Sequence, residues 1–531
     1  MEKPKSNENP LANFWTMPFK TWSATLNGMR IAAFYWTGML QYGMAFLEPF
    51  FLASRSFRDE ETKIFRESAL ENVRDYAELL AFNLMLSGTA WQSSVNKALG
   101  YHVREFQRFA FAFINTVEGR HGETVDEYMA KEAEALERLL TDYPEAIMDI
   151  EKEFGFHFDS GKYTLIDETE RMSLYQVLPT EPDVTVRPEV KPILIAHPYV
   201  LGPNIIAFLP GERKSYVHAF ANQGIPTYVR IIKDIDTNPG VQVMTGEDDV
   251  LDTRRFSEVI VGRHGKKVTL NGACQGGFNL LVALLSGELE GLVDALITSN
   301  SPIDGTKSEG LKHYLDEVVP RFRSLAYATK TLPNGNRVID GKIMSWVYKL
   351  KSIEKEAPLY TYYRDIDASE ENVRHGVKHI GKTAAAINHW LVYDRTDLPI
   401  AITELSRLSY TVPISANGDL PFKLFGQRLN LKYLREKGIK SMICYGKDDK
   451  LVEPPSALAP LDFVEAEVTE LPKGHAAIFT TWSDPDSEYA LHKRLPNGQR
   501  GPVRFQLDLD EGLSREKALL NLVLQPGPQT C

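Results

Sequence analysis

The sequence predicts an α/β protein in which a mostly parallel sheet follows an all-helical N-terminal region. From about residue 193 onward, short apolar runs alternate with helical stretches, a pattern typical of parallel sheets with helices on both faces. Residues 1–155, by contrast, carry apolar side chains at spacings of three and four without a strand pattern, which indicates helices.

Composition narrows the class of protein. A chain of 531 residues is too long for one compact core, so we expect several regions. The net charge of -11 argues against a nucleic-acid partner, which would need clustered Lys and Arg. Cysteines at 274, 444 and 531 are too few and too scattered for a disulfide framework or a zinc site. We expect a reducing, cytoplasmic setting and no secretion signal.

The strand and helix pattern divides the chain into regions. A pair of strands within 164–178 precedes the alternating segment, and an insertion rich in helices and aromatic residues interrupts the sheet before its later strand at 441–445. An insertion of that size between strands is usually a cap. The predicted regions are a helical N-terminal region at 1–155, an α/β core at 160–304 and 418–485, a cap at 305–417 and a C-terminal extension at 486–531 with a helix at 511–524.

Residues 14–53 form an apolar, aromatic segment. Its part from Ile31 to Ala53 approaches the length of a membrane span, but two glycines, Glu48 and Pro49 argue against one. Three interpretations stay open: a bilayer-spanning helix, a helix on a hydrophobic surface, and an ordinary core or dimer face.

The stretch 268–285 reads as an apolar strand, a cysteine and then an apolar helix. Glycines at 272 and 276 flank Cys274, as in a nucleophile elbow, where a strand-to-helix turn needs close backbone approach. A cysteine between small residues also suits plain packing of a strand against a helix. As a nucleophile, a thiolate at a helix N-terminus would point to acyl-thioester chemistry.

An acid and a base follow the cysteine in order. The turn 446–455 after the strand at 441–445 offers Asp448 and Asp449, each eligible to orient a histidine. His475 follows a strand-like run and a glycine, although a lone histidine is more often a surface or core residue. The order Cys274, Asp449, His475 is that of the α/β-hydrolase fold.

An oxyanion hole in this fold would use two backbone N–H groups. The first would belong to Gln275, directly after the nucleophile. The second would lie in the turn after the strand at 193–196, and because Pro198 has no N–H, Tyr199 or Val200 would donate.

These residues resemble the polyhydroxyalkanoate synthases. Residues 272–277, Gly-Ala-Cys-Gln-Gly-Gly, are similar to the cysteine box of that family, in the form of its short-chain, two-subunit class. Residues 446–455 resemble its aspartate motif, which places the acid on Asp449, and Gly474-His475 resembles its histidine motif. Leu174-Tyr175-Gln176, 390–399 and Leu429-Asn430-Leu431 extend the resemblance, which covers roughly 165–480.

The resemblance implies an acyltransferase. Cys274 would attack a (R)-3-hydroxyacyl-CoA thioester, and the hydroxyl of another hydroxyacyl unit would take the acyl group, extending a polyester. Acyl-CoA would be a substrate, and no cofactor or metal is expected. We also expect a homodimer, whereas the need for an accessory subunit and the contact of residues 14–53 with a hydrophobic granule or membrane stay open.

Two other functions stay open. A cysteine hydrolase or thioesterase of the same fold would release the acyl group to water or a small acceptor. A scaffold bound to granules or membranes would keep the α/β domain without turnover, although the presence of all three of Cys274, Asp449 and His475 argues against loss of activity.

Overall fold

The structure is a computed structural model that describes residues 10–64 and 69–509, so the predicted helix at 511–524 lies outside the described residues. The described helices are α1 (Pro10–Ile64), α2 (Ala69–Glu118), α3 (Val125–Glu137), α4 (Tyr143–Asp149), α5 (Tyr216–Ala221), α6 (Pro239–Gln242), α7 (Gly246–His264), α8 (Gln275–Leu285), α9 (Glu309–Glu317), α10 (Gly341–Lys351), α11 (Ile353–Glu356), α12 (Pro358–Arg374), α13 (Lys382–Tyr393), α14 (Ile400–Thr411), α15 (Lys432–Glu436) and α16 (Pro454–Ala457).

The described strands follow the alternation that the sequence predicts. They are β1 (Tyr163–Glu168), β2 (Met172–Val177), β3 (Ile193–Ala196), β4 (Thr227–Ile232), β5 (Val268–Ala273), β6 (Val293–Ser299), β7 (Thr329–Thr331), β8 (Arg337–Ile339), β9 (Asp419–Leu424), β10 (Gln427–Asn430), β11 (Lys440–Gly446) and β12 (Glu467–Leu471).

Eight of these strands form one sheet in the order β1-β2-β4-β3-β5-β6-β11-β12. The six strands from β4 to β12 in this order run parallel to one another, and β1 and β2 add an antiparallel edge next to β4. The predicted fold class is confirmed: this is an α/β-hydrolase fold with a helical region before it. Parallel strands end at the same edge, so the loops after β3, β5, β6, β11 and β12 lie together.

The central strands are apolar because both faces of the sheet are covered. Every residue of β3 and β5 is buried, as expected for the middle of a parallel sheet. Helix α7 begins with a capping box, in which Thr245 and Asp248 bond each other's backbone N–H, and ends at Gly265 with a φ of 63°. These local signals define its ends.

The chain divides into two compact units. Among the described residues, the helical unit contains 10–55, 69–150 and 352–385, and the α/β unit contains 56–64, 151–351 and 386–509. The division differs from the predicted boundaries, because the predicted cap at 305–417 is shared between the units. Within the helical unit, Tyr362, Tyr363 and Ile366 of α12 pack with Leu136 of α3, which explains why 352–385 joins it.

Helix α2 runs unbroken through Gly88 and Gly100, although glycine has a low helix propensity. A Cβ at either glycine would meet no atom within 4 Å. The cost of a helical glycine, about 1 kcal/mol relative to alanine, is therefore offset elsewhere along a 50-residue helix. None of the described helices combines the length and the apolar run that a bilayer crossing requires.

The first part of the predicted C-terminal extension covers the last strand of the sheet. The Thr469 hydroxyl of β12 donates to the Arg500 carbonyl at 2.8 Å, and the Arg500 guanidinium pairs with Glu467 at the start of the same strand. Edge strands of soluble sheets are commonly covered in this way.

Candidate active site

Cys274 lies in the turn between β5 and α8. Its backbone has a φ of 51° and a ψ of -124°, a conformation that costs a residue with a side chain about 1–3 kcal/mol. The residue is largely buried, with 8% of its surface exposed. Its position directly before the first turn of α8 lets the helix dipole favour a negatively charged sulfur.

The glycines around Cys274 make this turn sterically feasible. A Cβ on Gly272 would lie 2.2 Å from the Cα of Gly277, and one on Gly276 would lie 2.4 Å from the carbonyl oxygen of His197. Neither contact tolerates a side chain, because the opposing atoms belong to the backbone. The start of α8 therefore packs directly against the end of β5 and against the loop that follows β3.

The structure places only one of the two candidate acids beside the histidine. Asp449 is buried and its Oδ2 lies 2.7 Å from His475 Nδ1, whereas Asp448 is exposed. The other oxygen, Oδ1, accepts the backbone N–H groups of Leu451 and Val452 at 2.8 and 2.9 Å. These bonds hold the carboxylate in one orientation, so that Nδ1 donates and Nε2 is left for another partner.

The electrostatics of His475 depend on two neighbours. Burial by itself would lower the pKa of the imidazole, but the Asp449 carboxylate and the Cys274 sulfur outweigh it and raise the pKa well above its ordinary value. Nε2 is buried without a hydrogen bond of normal geometry to any described residue. The Cys274 sulfur contributes to the raised pKa, so the imidazole is suited to take up a proton and to hold it beside the sulfur.

Asn300 connects the histidine loop to the sheet. Its side-chain amide donates to the carbonyl of His475, and its Oδ1 accepts the N–H of Gly446 at 3.0 Å. Its own N–H donates to the Cys444 carbonyl at 2.9 Å. The residue follows β6 with a φ of 50°, a left-handed conformation that asparagine tolerates better than most residues.

The two candidate oxyanion donors border the cysteine. Gln275 is the first residue of α8, where a backbone N–H has no acceptor within the helix. Tyr199 and Val200 follow β3, which pairs with β5, and both line the same cavity as Cys274 and Gln275.

That cavity is small. Its volume accessible to water is about 20 Å³, room for about one water molecule. An acyl chain could enter only after residues of its walls had moved. The lining residues are Pro198, Tyr199, Val200, Leu201, Cys274, Gln275, Pro302, Tyr348, Ser406, Tyr410 and Leu451.

Two tyrosines of this lining could not be predicted from the sequence. Tyr348 of α10 and Tyr410 of α14 both interact electrostatically with the Cys274 sulfur. Burial raises the pKa of both phenols well above the ordinary value, so both remain hydrogen-bond donors at neutral pH. No local pattern marked them. The polar run at 299–301, which begins at the last residue of β6, was a usable signal for Asn300.

A larger depression of about 500 Å³ lies at the opposite ends of β11 and β12. Charged residues line it, including Glu467, Arg500 and Asp508, and its lining contains neither cysteine nor histidine. The small cavity at Cys274 is therefore the better candidate for chemistry.

One group of described acidic residues is compact enough to hold a metal ion. Oxygens of Glu105, Glu132 and Glu370 in the helical unit lie within 4.8 Å of one another. Arg108 pairs with Glu370 at 3.0 Å and Arg374 with Glu132 at 3.0 Å. Burial raises the pKa of Glu132 and of Glu370. The negative charge of this cluster is therefore balanced by two arginines and by protons that the carboxyl groups retain, which disfavours a bound metal ion.

Comparison with known proteins gave structural likeness alone. No family model matches the chain, and no curated protein matches it. A carboxylesterase of the thaumarchaeon Nitrososphaera gargenis is 16% identical, covering 60% of this chain and 92% of its own, with a TM-score of 0.33. The thioesterase domain of the curacin biosynthetic pathway is 11% identical over 60% and 94%, with a TM-score of 0.30.

The esterase domain of a Rhodothermus marinus protein is 13% identical, covering 67% of this chain and 98% of its own, with a TM-score of 0.32. At such identities and TM-scores these likenesses assign no reaction to this chain.

Proposed function

We propose that the protein is an acyltransferase of the polyhydroxyalkanoate-synthase type, which forms an acyl-cysteine from a (R)-3-hydroxyacyl-CoA and releases CoA. The observation that carries this proposal is the strained Cys274 at the start of α8, beside a histidine that Asp449 orients. A cysteine instead of a serine suits thioesters, because thiolates exchange readily with them.

In the first half of the proposed reaction, Nε2 of His475 accepts the proton of the Cys274 thiol. The sulfur attacks the thioester carbonyl, and the N–H groups of Gln275 and Tyr199 hold the oxyanion that forms. One such donor contributes about 2.7–4 kcal/mol to the stability of a transition state. Collapse breaks the bond to the CoA sulfur, and the imidazolium returns the proton to the departing thiolate.

In the second half, His475 accepts the proton of the hydroxyl group of another hydroxyacyl unit. The alkoxide attacks the acyl-cysteine, an ester bond forms, and the bond to the Cys274 sulfur breaks. The imidazolium returns its proton to the sulfur. Each cycle thus lengthens the ester chain by one unit and regenerates the thiol.

The alternative is hydrolysis, in which water replaces the second hydroxyl. The first half-reaction is the same, so the geometry at Cys274 supports both functions. The resemblance of residues 272–277, 446–455 and 474–475 to the polyester synthases favours polymerisation.

The decisive experiment follows free CoA and polymer together when the full-length protein acts on (R)-3-hydroxybutyryl-CoA. We expect both to form, and both to be abolished in Cys274→Ala. Cys444→Ala is the matched control, because Cys444 is buried in β11 and belongs to no candidate site. CoA release without polymer would establish the hydrolase, and neither product would favour the scaffold.

We further propose that α1 contacts an apolar surface such as a polyester granule. Eight large apolar side chains of α1 are 40–69% exposed, and their spacings of mostly three or four residues place them on one face of the helix. Charged residues are few there. Monomeric proteins rarely expose so extended an apolar stripe. The residues are Trp22, Leu26, Met29, Trp36, Leu40, Met44, Leu47 and Phe51.

A further inference from the structure

Three buried side chains of the α/β unit form a closed hydrogen-bonded ring. Nη1 of Arg230 donates to Oδ1 of Asp249 at 2.6 Å, and its Nη2 donates to the Tyr199 hydroxyl at 2.8 Å. The Tyr199 hydroxyl donates to the same Asp249 oxygen at 2.6 Å. Nη1 also reaches the Thr253 hydroxyl at 2.9 Å. Each of the ring's three members is at most 3% exposed.

The ring lies at the base of the loop that follows β3. Arg230 of β4 is paired in register with Ala196, the last residue of β3, and Asp249 lies in the first turn of α7. Tyr199 therefore bonds to two elements of the core through its hydroxyl, and the same residue lines the cavity at Cys274. The close contact of Gly276 with the His197 carbonyl seats the same loop against α8.

A buried ion pair is weak evidence for a stabilising role. Removing two charges from water costs several kcal/mol per ion, and apolar replacements of such pairs are often as stable. Burial would lower the pKa of Arg230, but the Asp249 carboxylate raises it, so the guanidinium stays charged. A charged pair retained at this depth, and bonded to the loop beside the nucleophile, is better explained by the precision of that loop.

We propose that Arg230 and Asp249 are positioning residues that hold Tyr199, and with it the backbone N–H of the loop after β3, in place to stabilise the oxyanion at Cys274. The inference rests on one part of the proposed function, the acylation of Cys274, and does not depend on the identity of the acyl donor. Neither residue touches the substrate. The hydroxyl of Tyr199 is the link, and Tyr199→Phe removes only that hydroxyl while it keeps the aromatic ring of the side chain.

The experiment separates two reactions of the same sulfur in the full-length protein. Acylation of Cys274 by p-nitrophenyl acetate passes through an oxyanion, whereas alkylation by iodoacetamide does not. In Tyr199→Phe we expect acylation to slow about ten- to hundredfold, since small displacements of a catalytic group have effects of this size. Alkylation should keep the wild-type rate and the wild-type pH profile.

Two further variants guard against a general loss of structure. Tyr228 of β4 is also a fully buried tyrosine, but its hydroxyl bonds to His264. Tyr228→Phe should therefore change neither the acylation rate nor the alkylation rate. Arg230→Met should slow acylation at least as much as Tyr199→Phe, and Arg230→Lys should recover part of the rate, because an ammonium group keeps the charge and one of the hydrogen bonds.

Wild-type acylation in Tyr199→Phe would overturn the inference, as would a parallel loss of acylation and alkylation, since the ring would then act on the thiol or on the fold. If the wild type releases p-nitrophenol but no CoA from (R)-3-hydroxybutyryl-CoA, the proposed function fails while the ester assay still decides the inference. If the wild type is alkylated at Cys274 but releases neither p-nitrophenol nor CoA, both the proposed function and the positioning role of Arg230 and Asp249 are overturned.

Discussion

The side-chain amide of Asn300 donates a hydrogen bond to the carbonyl of His475, 175 residues later in the chain. Its Oδ1 simultaneously accepts the N–H of Gly446, at the end of β11. One left-handed residue after β6 therefore ties the histidine loop to the strand that precedes Asp449. The relation between the acid and the base depends on this side chain as well as on their own hydrogen bond.

We expect Asn300→Ala to lower kcat about ten- to hundredfold with little change in KM, because the displaced imidazole would transfer protons less well. The measurement is the steady-state rate of CoA release. Asn430→Ala is a suitable control, since that side chain bonds to Asn417 and Asp419 and lies outside the cavity lining. Equal rates in both variants would contradict a positioning role for Asn300.

The two neighbouring acids give a matched pair of variants. We expect Asp449→Asn to lower kcat by about four orders of magnitude, since an amide cannot stabilise the imidazolium. Asp448→Asn should stay within about twofold of the wild type, because that side chain is exposed. Release of CoA after a single addition of acyl-CoA would measure both. Similar losses in the two variants would place the acid elsewhere.

The carboxyl cluster of the helical unit predicts a dependence of stability on pH. Burial, and then the charge of Glu132, raise the pKa of Glu370, so the folded state keeps a proton that the unfolded chain releases. Its stabilising contribution is complete at acid pH and is lost as the pH rises through the raised pKa. The measurement is hydrogen exchange of the backbone amides in α2 and α12. We expect their exchange at about pH 9 to be faster than the increase in the intrinsic exchange rate with pH accounts for.

Glu370→Gln should remove most of this dependence, because a neutral amide has no proton to lose. At about pH 9, we expect the free energy of opening from amide hydrogen exchange to be about 1–2 kcal/mol higher in this variant than in the wild type. Glu371→Gln, the next residue and an exposed one, should behave like the wild type. A dependence on pH that persists in Glu370→Gln would assign it to other groups.

The exposed face of α1 predicts binding to apolar surfaces. We expect the full-length protein to float with phosphatidylcholine vesicles, and Trp36→Glu with Leu40→Glu to abolish flotation, because both side chains are more than 60% exposed on that face. Val243→Glu, at an exposed apolar residue of the α/β unit, is the control. If the α1 variant instead changed the oligomeric state, the face would be an interface between protein chains.

The sequence by itself determined the sheet strands and the turn at Cys274. These features follow from apolar runs and flanking glycines within a few residues. Local sterics enforce them, because a side chain at position 272 would clash with the backbone of Gly277. The order of nucleophile, acid and base was readable for the same reason, since each candidate lies in the turn that follows a strand.

The tertiary structure decided what depends on distant partners. It buried Asp449 and left Asp448 exposed, packed α12 with the N-terminal helices, and brought Asn300, Tyr348 and Tyr410 into the surroundings of Cys274 and His475. None of these relations has a local signal, because each joins residues that are far apart in the chain. Only the packing of the folded chain determines which acid lies beside His475 and which tyrosines line the cavity at Cys274.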